Sequence, residues 1–99
     1  MLSAPWTLVG RHASVRFSLV AEPGPGLLPR LLQPFAKRDL TPDMLESRLD
    51  HGALRVDIAM HSMPAEMVHL VEGNLRQTVG VRSLSLRQEI TGSVRRSAA

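Results

Sequence analysis

Two prolines and two glycines crowd into five positions, Glu22-Pro23-Gly24-Pro25-Gly26, and the hydrophobic period changes across them. Before the block, Val15, Phe17 and Leu19 alternate with Ser14, Arg16 and Ser18, the period-2 pattern of a half-buried strand. After it, Leu27, Leu28, Leu31, Leu32 and Phe35 recur at helical spacing and make one apolar stripe. A chain that passes from strand to helix over so short a turn must lay the helix back on the sheet.

The rest of the chain repeats the theme. Pro29 is tolerated in the first helical turn, whereas Pro34 removes a donor inside the helix. The spacing therefore predicts a kink there or a last turn that is not α-helical, with the exit at Thr41-Pro42. Leu45 and Leu49 alternate with Met44, Glu46 and Arg48, then Asp50-His51-Gly52 signals a tight turn. Leu54, Val56, Ile58 and Met60 complete a hairpin. Ser62 is expected to cap a second helix, with Pro64 in its first turn and Met67, Leu70, Val71 and Leu75 on its buried face. Gly80 then leads into a last strand, where Val81 differs in parity from Leu84 and Leu86, which predicts a bulge or a later start.

This order predicts an α+β, ferredoxin-like βαββαβ sandwich, a four-stranded antiparallel sheet with two helices on one face. Residues 13–89 are expected to form the domain. Residues 1–12, with Trp6, would be an N-terminal arm that extends the first strand or packs on a partner. Residues 90–99, with Arg95 and Arg96, would be a flexible tail.

Composition narrows the chemistry. The absence of Cys excludes disulfides, thiolate metal sites and cysteine nucleophiles. Histidines 12, 51, 61 and 69 show no helical i, i+4 pair, so no metal is expected. No nucleophile stands beside a base and no carboxylates pair in sequence, so no catalytic residue and no cofactor are expected. No apolar run reaches the length of a membrane span and the start is unlike a secretory signal, so a cytoplasmic protein without membrane contact is expected.

The pI near 11.0 suggests a nucleic-acid binder, but the net charge is only +3. Eleven of the twelve cations are arginines, and with no Tyr or Cys almost nothing titrates at alkaline pH, which inflates that pI. Trp6, Phe17 and Phe35 are the only aromatics, and none falls on the outward face of a predicted central strand, where bases would stack. That face, with Arg16, Ser18, Glu46, Arg48, Arg55 and Asp57, reads as a solvated surface of cross-strand pairs and argues against nucleic acid.

The Gly24-Pro25-Gly26-Leu27-Leu28 turn remains. It joins a strand to a helix N-terminus, whose free N–H groups favour an anion and whose glycines admit close backbone approach. On spacing alone, a plain tight turn is the better-supported reading.

Phe17-Ser18-Leu19-Val20, then Pro25-Gly26-Leu27-Leu28-Pro29-Arg30-Leu31-Leu32 with Phe35-Ala36-Lys37-Arg38, resemble the opening of an ACT domain. The hairpin, the helix from Pro64 and Val79-Gly80-Val81 agree in order, and the similarity spans residues 13–89. It is closest to the short regulatory subunits of acetolactate (acetohydroxyacid) synthase. The resemblance implies a regulatory or stabilising subunit in branched-chain amino-acid biosynthesis, or a free-standing amino-acid-binding homodimer. It also implies that two copies pair through the first helix and second strand, with a catalytic subunit as a further partner. An amino-acid effector would lie against Glu22, Gly24, Gly26, Leu27 and Leu28, with Met44 and Leu45 from the second strand. At one position the chain departs from the valine-responsive members: their Asn or Asp is replaced by Pro23, which has neither a polar side chain nor an N–H.

Overall fold

A computed structural model of the chain describes residues 10–91. The arm bearing Trp6 and the tail bearing Arg95 and Arg96 lie outside the described residues. Six elements run in order: β1 (His12–Ala21), α1 (Leu27–Ala36), β2 (Met44–Asp50), β3 (Ala53–Pro64), α2 (Ala65–Arg76) and β4 (Val81–Thr91). The strands form one antiparallel sheet in the order β2-β3-β1-β4, the ferredoxin-like arrangement expected from the sequence.

The core follows from alternation. Ala13, Val15, Phe17, Leu19 and Ala21 of β1 are all buried on the helix side, with Val56, Ile58, Met60 and Met63 of β3 beside them. Leu27, Leu31 and Phe35 of α1 and Val68, Val71 and Leu75 of α2 close over them. Phe17 and Phe35 meet edge to face, 5.7 Å between centroids at 78°. Such a pair adds about 0.5–1.5 kcal/mol to its burial.

Pro34 sits inside α1 and is buried, and the helix continues to Ala36. The departure from α-geometry comes at the exit. Asp39 takes a left-handed conformation (φ 57°), its N–H donates to Ala36 O at 3.1 Å, and the Leu40 N–H donates to Phe35 O at 2.9 Å. These two bonds satisfy carbonyls that the helix end would leave open. The β2–β3 turn is the two-residue hairpin turn with both central φ positive, His51 at 52° and Gly52 at 79°.

Two expectations for α2 need correction. Ser62 does not cap it: β3 runs on to Pro64, which is the N-cap residue, and no side-chain cap bond forms. A proline disfavours helical conformation in the residue before it, so Met63 stays extended and pairs with Ala13. The Ala65 N–H donates instead to Arg11 O at 2.9 Å. Leu70 is 52% exposed, because α2 turns Ala65, Val68, Val71 and Leu75 to the sheet, and this leaves Met67 half-buried at the margin.

The parity change in the last strand is a bulge. Val20 pairs with Ser83 and Ala21 with Val81, so Arg82 is the extra residue. A second bulge, without a sequence signal, sets His61 and Ser62 of β3 opposite the single Ser14 of β1.

Candidate functional site

The loop after β1 is tied down at both ends. The Glu22 N–H donates to Gly80 O (2.8 Å), which fastens the loop to the approach to β4. The Leu27 N–H donates to Gly24 O (3.2 Å) and that of Arg30 to Gly26 O (3.2 Å). Gly26 caps α1 without a side-chain bond, and no acidic residue stands in the first turn. The start of the helix dipole is thus uncompensated by any side chain. Neither glycine is there for its φ. Gly26 has φ −97°, and a Cβ on it would meet only the flexible Arg30 Nη1 at 2.7 Å, while a Cβ on Gly24 would meet open space.

The residues implied by the resemblance are dispersed. Gly24 and the half-buried Gly26 are on this loop. Glu22 is there too, but its carboxylate accepts from Arg82, at 2.7 Å from Nε and again from Nη2. The Leu27 side chain is fully buried in the core and Leu28 is half-buried. Met44 and Leu45, both half-buried, begin β2, whereas the loop leaves the sheet in the row of Ala21, Leu54 and Leu49. That row lies five residues along β2 from Met44, roughly 17 Å, so one chain does not bring the two groups together.

The first helix and second strand, through which the resemblance implies pairing, carry apolar side chains on the flank away from α2. Arg30, Gln33 and the C-cap Lys37 of α1 line a groove of about 250 Å³ against Asn74 of α2 and its C-cap Gln77. Leu28 and Leu32 fall on the other side of α1, away from α2. β2 is the edge strand farthest from β4, and its Leu45 and Leu49 share the helix-side face with Leu54 and Ile58. Leu32 is 37% and Leu49 65% exposed, beside a β2 edge whose backbone groups have no strand partner among the described residues.

On the opposite, open face the ladder sets like against like: Arg16 opposite Arg87, Glu46 opposite Asp57, Arg48 opposite Arg55. Charge alternates along each strand, so directly opposed residues carry like charge, and the opposite-sign contact on this face is diagonal, from Arg55 of β3 to Asp50 of β2. Asp57 accepts from Ser18 Oγ at 2.7 Å, and Asp50 accepts from Arg55 Nε at 2.9 Å and lies 2.7 Å from His51 Nδ1. Arg55 first, and His51 second, hold the Asp50 carboxyl below its ordinary range. Among the described residues no three His, Asp or Glu side chains gather as a metal site, and no helix is long and apolar enough to cross a membrane.

A family model described as an ACT-like domain matches residues 9–92. No curated protein matches the sequence significantly. Among solved structures, the chain is similar to the ACT domain of GTP pyrophosphokinase from Chlorobium tepidum in two determinations. The solution NMR structure is 13% identical with a TM-score of 0.62, covering 77% of this chain and 86% of that one. The crystal structure is 16% identical with a TM-score of 0.60, covering 77% and 96%. At these identities the likeness is one of fold.

Proposed function

Since the chain belongs to the family of ACT-like domains, a class of regulatory and non-catalytic modules, we propose that it regulates by association. Two copies join along β2 and α1, and the pair serves a catalytic partner. The observation that carries this reading is the flank of Leu28, Leu32, Leu45 and Leu49 along the β2 edge, which is unpaired among the described residues. An edge strand with apolar neighbours is a template for another strand, and natural folds cover such edges. Two-fold pairing there gives an eight-stranded sheet with the α1 helices side by side, an isologous interface.

The same pairing brings Met44 and Leu45 of one copy toward the loop and α1 of the other, the seam where an amino-acid effector belongs. The loop itself favours the stabilising role over the sensing one. Pro23 offers no polar group, and Glu22, the one carboxylate that would meet an ammonium, is held by Arg82. The finer assignment, the small subunit of acetolactate synthase, rests on the Pro25–Leu28 turn and its setting. Light scattering at micromolar concentration tests the pairing, and a monomer would overturn it. Mixing with an acetolactate synthase catalytic subunit from the same genome tests the partner. A complex or a rise in turnover is expected, and neither would be seen if that assignment is wrong. A melting-temperature screen against amino acids tests the sensor, since a ligand at 100 times its Kd stabilises by about 2.7 kcal/mol.

A further inference from the structure

Arg16 and Arg87 stand directly opposite one another on β1 and β4, on the sheet face turned away from both helices. Like charges at opposed positions begin from Cβ atoms about 4.5–5.5 Å apart and destabilise the ladder. The other arginine pair on this face is relieved within the chain, because Asp50 takes Arg55. Arg16 and Arg87 have no such relief: among the described residues neither guanidinium has a hydrogen-bond or ion-pair partner.

They line a hollow of about 520 Å³ with Ser14, Ala59, His61 and Glu89. Its floor is low for a structural reason. Ala59 is the β3 partner of Arg16, and Ser14 is the next open-face position on β1, so small side chains adjoin two long ones. The β3 bulge opposite Ser14 bends the strand and sets His61 among the lining residues. Glu89, opposite Ser14, is the one carboxylate of the lining and pairs with neither arginine.

We propose that Arg16 and Arg87 bind the phosphoryl group of a small phosphomonoester. Two guanidinium forks supply the planar donor sets that phosphoryl oxygens accept, and a dianion neutralises both cations and ends their repulsion. The hollow has room for the organic part, which His61 and Glu89 border. A phosphodiester chain suits it less well, since it brings one charge per group and among the described residues this face has no aromatic on which bases stack.

The test is the melting temperature of the full chain in glycerol 3-phosphate or inorganic phosphate, against sodium chloride at matched ionic strength. A saturable rise specific to the phosphates is expected, with affinity reduced about tenfold or more in Arg16→Gln and in Arg87→Gln. It should persist in Arg48→Gln. The Arg87→Gln protein without phosphate should melt no lower than the parent, which verifies that it folds and that the pair is repulsive. Equal shifts in chloride, or undiminished binding by both variants, would overturn the proposal. A single-stranded oligonucleotide that binds when phosphomonoesters do not would overturn it as well.

Discussion

The carboxylate of Asp43 accepts the backbone N–H of His61 at 2.6 Å, and its own N–H donates to the Ala59 carbonyl at 2.9 Å. The β3 bulge is thereby clamped from the start of β2, and an N–H that the bulge turns away from β1 regains a partner. Asp43→Ala removes the acceptor at an exposed position, so water compensates in part. A loss of about 0.5–1.5 kcal/mol is expected by urea unfolding. Asp43→Asn keeps a carbonyl acceptor and should lose less. Equal losses would mean that the charge, and not the bond, matters.

The hairpin turn predicts a contrast between neighbours. Gly52 has φ 79°, where a Cβ meets the following carbonyl, so Gly52→Ala should cost about 1–2 kcal/mol. His51 also has positive φ, 52°, and Asn is favoured there over His. His51→Asn should be neutral or slightly stabilising in the same assay, despite losing its exposed contact with Asp50.

Asp50 sets an acid-side prediction. Arg55 foremost, then His51, lower its folded pKa below the ordinary aspartate value of 3.8. A depressed pKa means that the unfolded chain takes up the proton first on acidification. The contribution is therefore fully present above 3.8 and is lost as pH falls through the folded value. Asp50→Asn should differ in stability from the parent at neutral pH, and the two should converge below that value. Parallel pH profiles down to strong acid would contradict the ion pair. Because the group is exposed, added salt should shrink the difference.

Local signals made the fold legible, and non-local pairing hid the rest. Asp50-His51-Gly52 marked the hairpin because its turn chemistry is contained in adjacent residues. The parity of Val81 against Leu84 marked the bulge at Arg82 for the same reason. Ser62 misled, since a hydroxyl shortly before a helix looks like a cap until β1 is seen to hold Met63 extended. Leu70 misled because several helical phases fit the apolar residues of α2, and only the sheet chooses among them. The candidate loop was visible, but not the 60-residue link from Glu22 to Arg82 that occupies its carboxylate. Nor does any local pattern disclose that Arg16 faces Arg87. That fact exists only once the register is known.

The glycines of the loop separate structure from function. With φ −97° and only the Arg30 guanidinium near its Cβ, Gly26 tolerates alanine once that side chain swings aside, and Gly24 has open space. Gly24→Ala and Gly26→Ala should thus each stay within about 0.5 kcal/mol of the parent, as surface substitutions without a special role do. If an amino acid approaches the backbone here, Gly26→Ala should abolish its thermal shift without altering the unliganded melt.

The pairing seam gives the sharpest contrast between two exposed leucines. Leu49 is 65% exposed on the β2 edge and Leu70 is 52% exposed on α2. In an isolated chain, a charge at either position reaches water and costs little. In a dimer closed along β2, Leu49→Glu and its symmetry mate put two carboxylates into an apolar seam without cations to meet them, which costs several kcal/mol. Leu49→Glu should therefore convert a dimer into folded monomer by sedimentation, with unchanged circular dichroism. Leu70→Glu, outside the seam, should leave the dimer intact. A reversal of these two outcomes would place the seam on α2 and displace the β2 arrangement altogether.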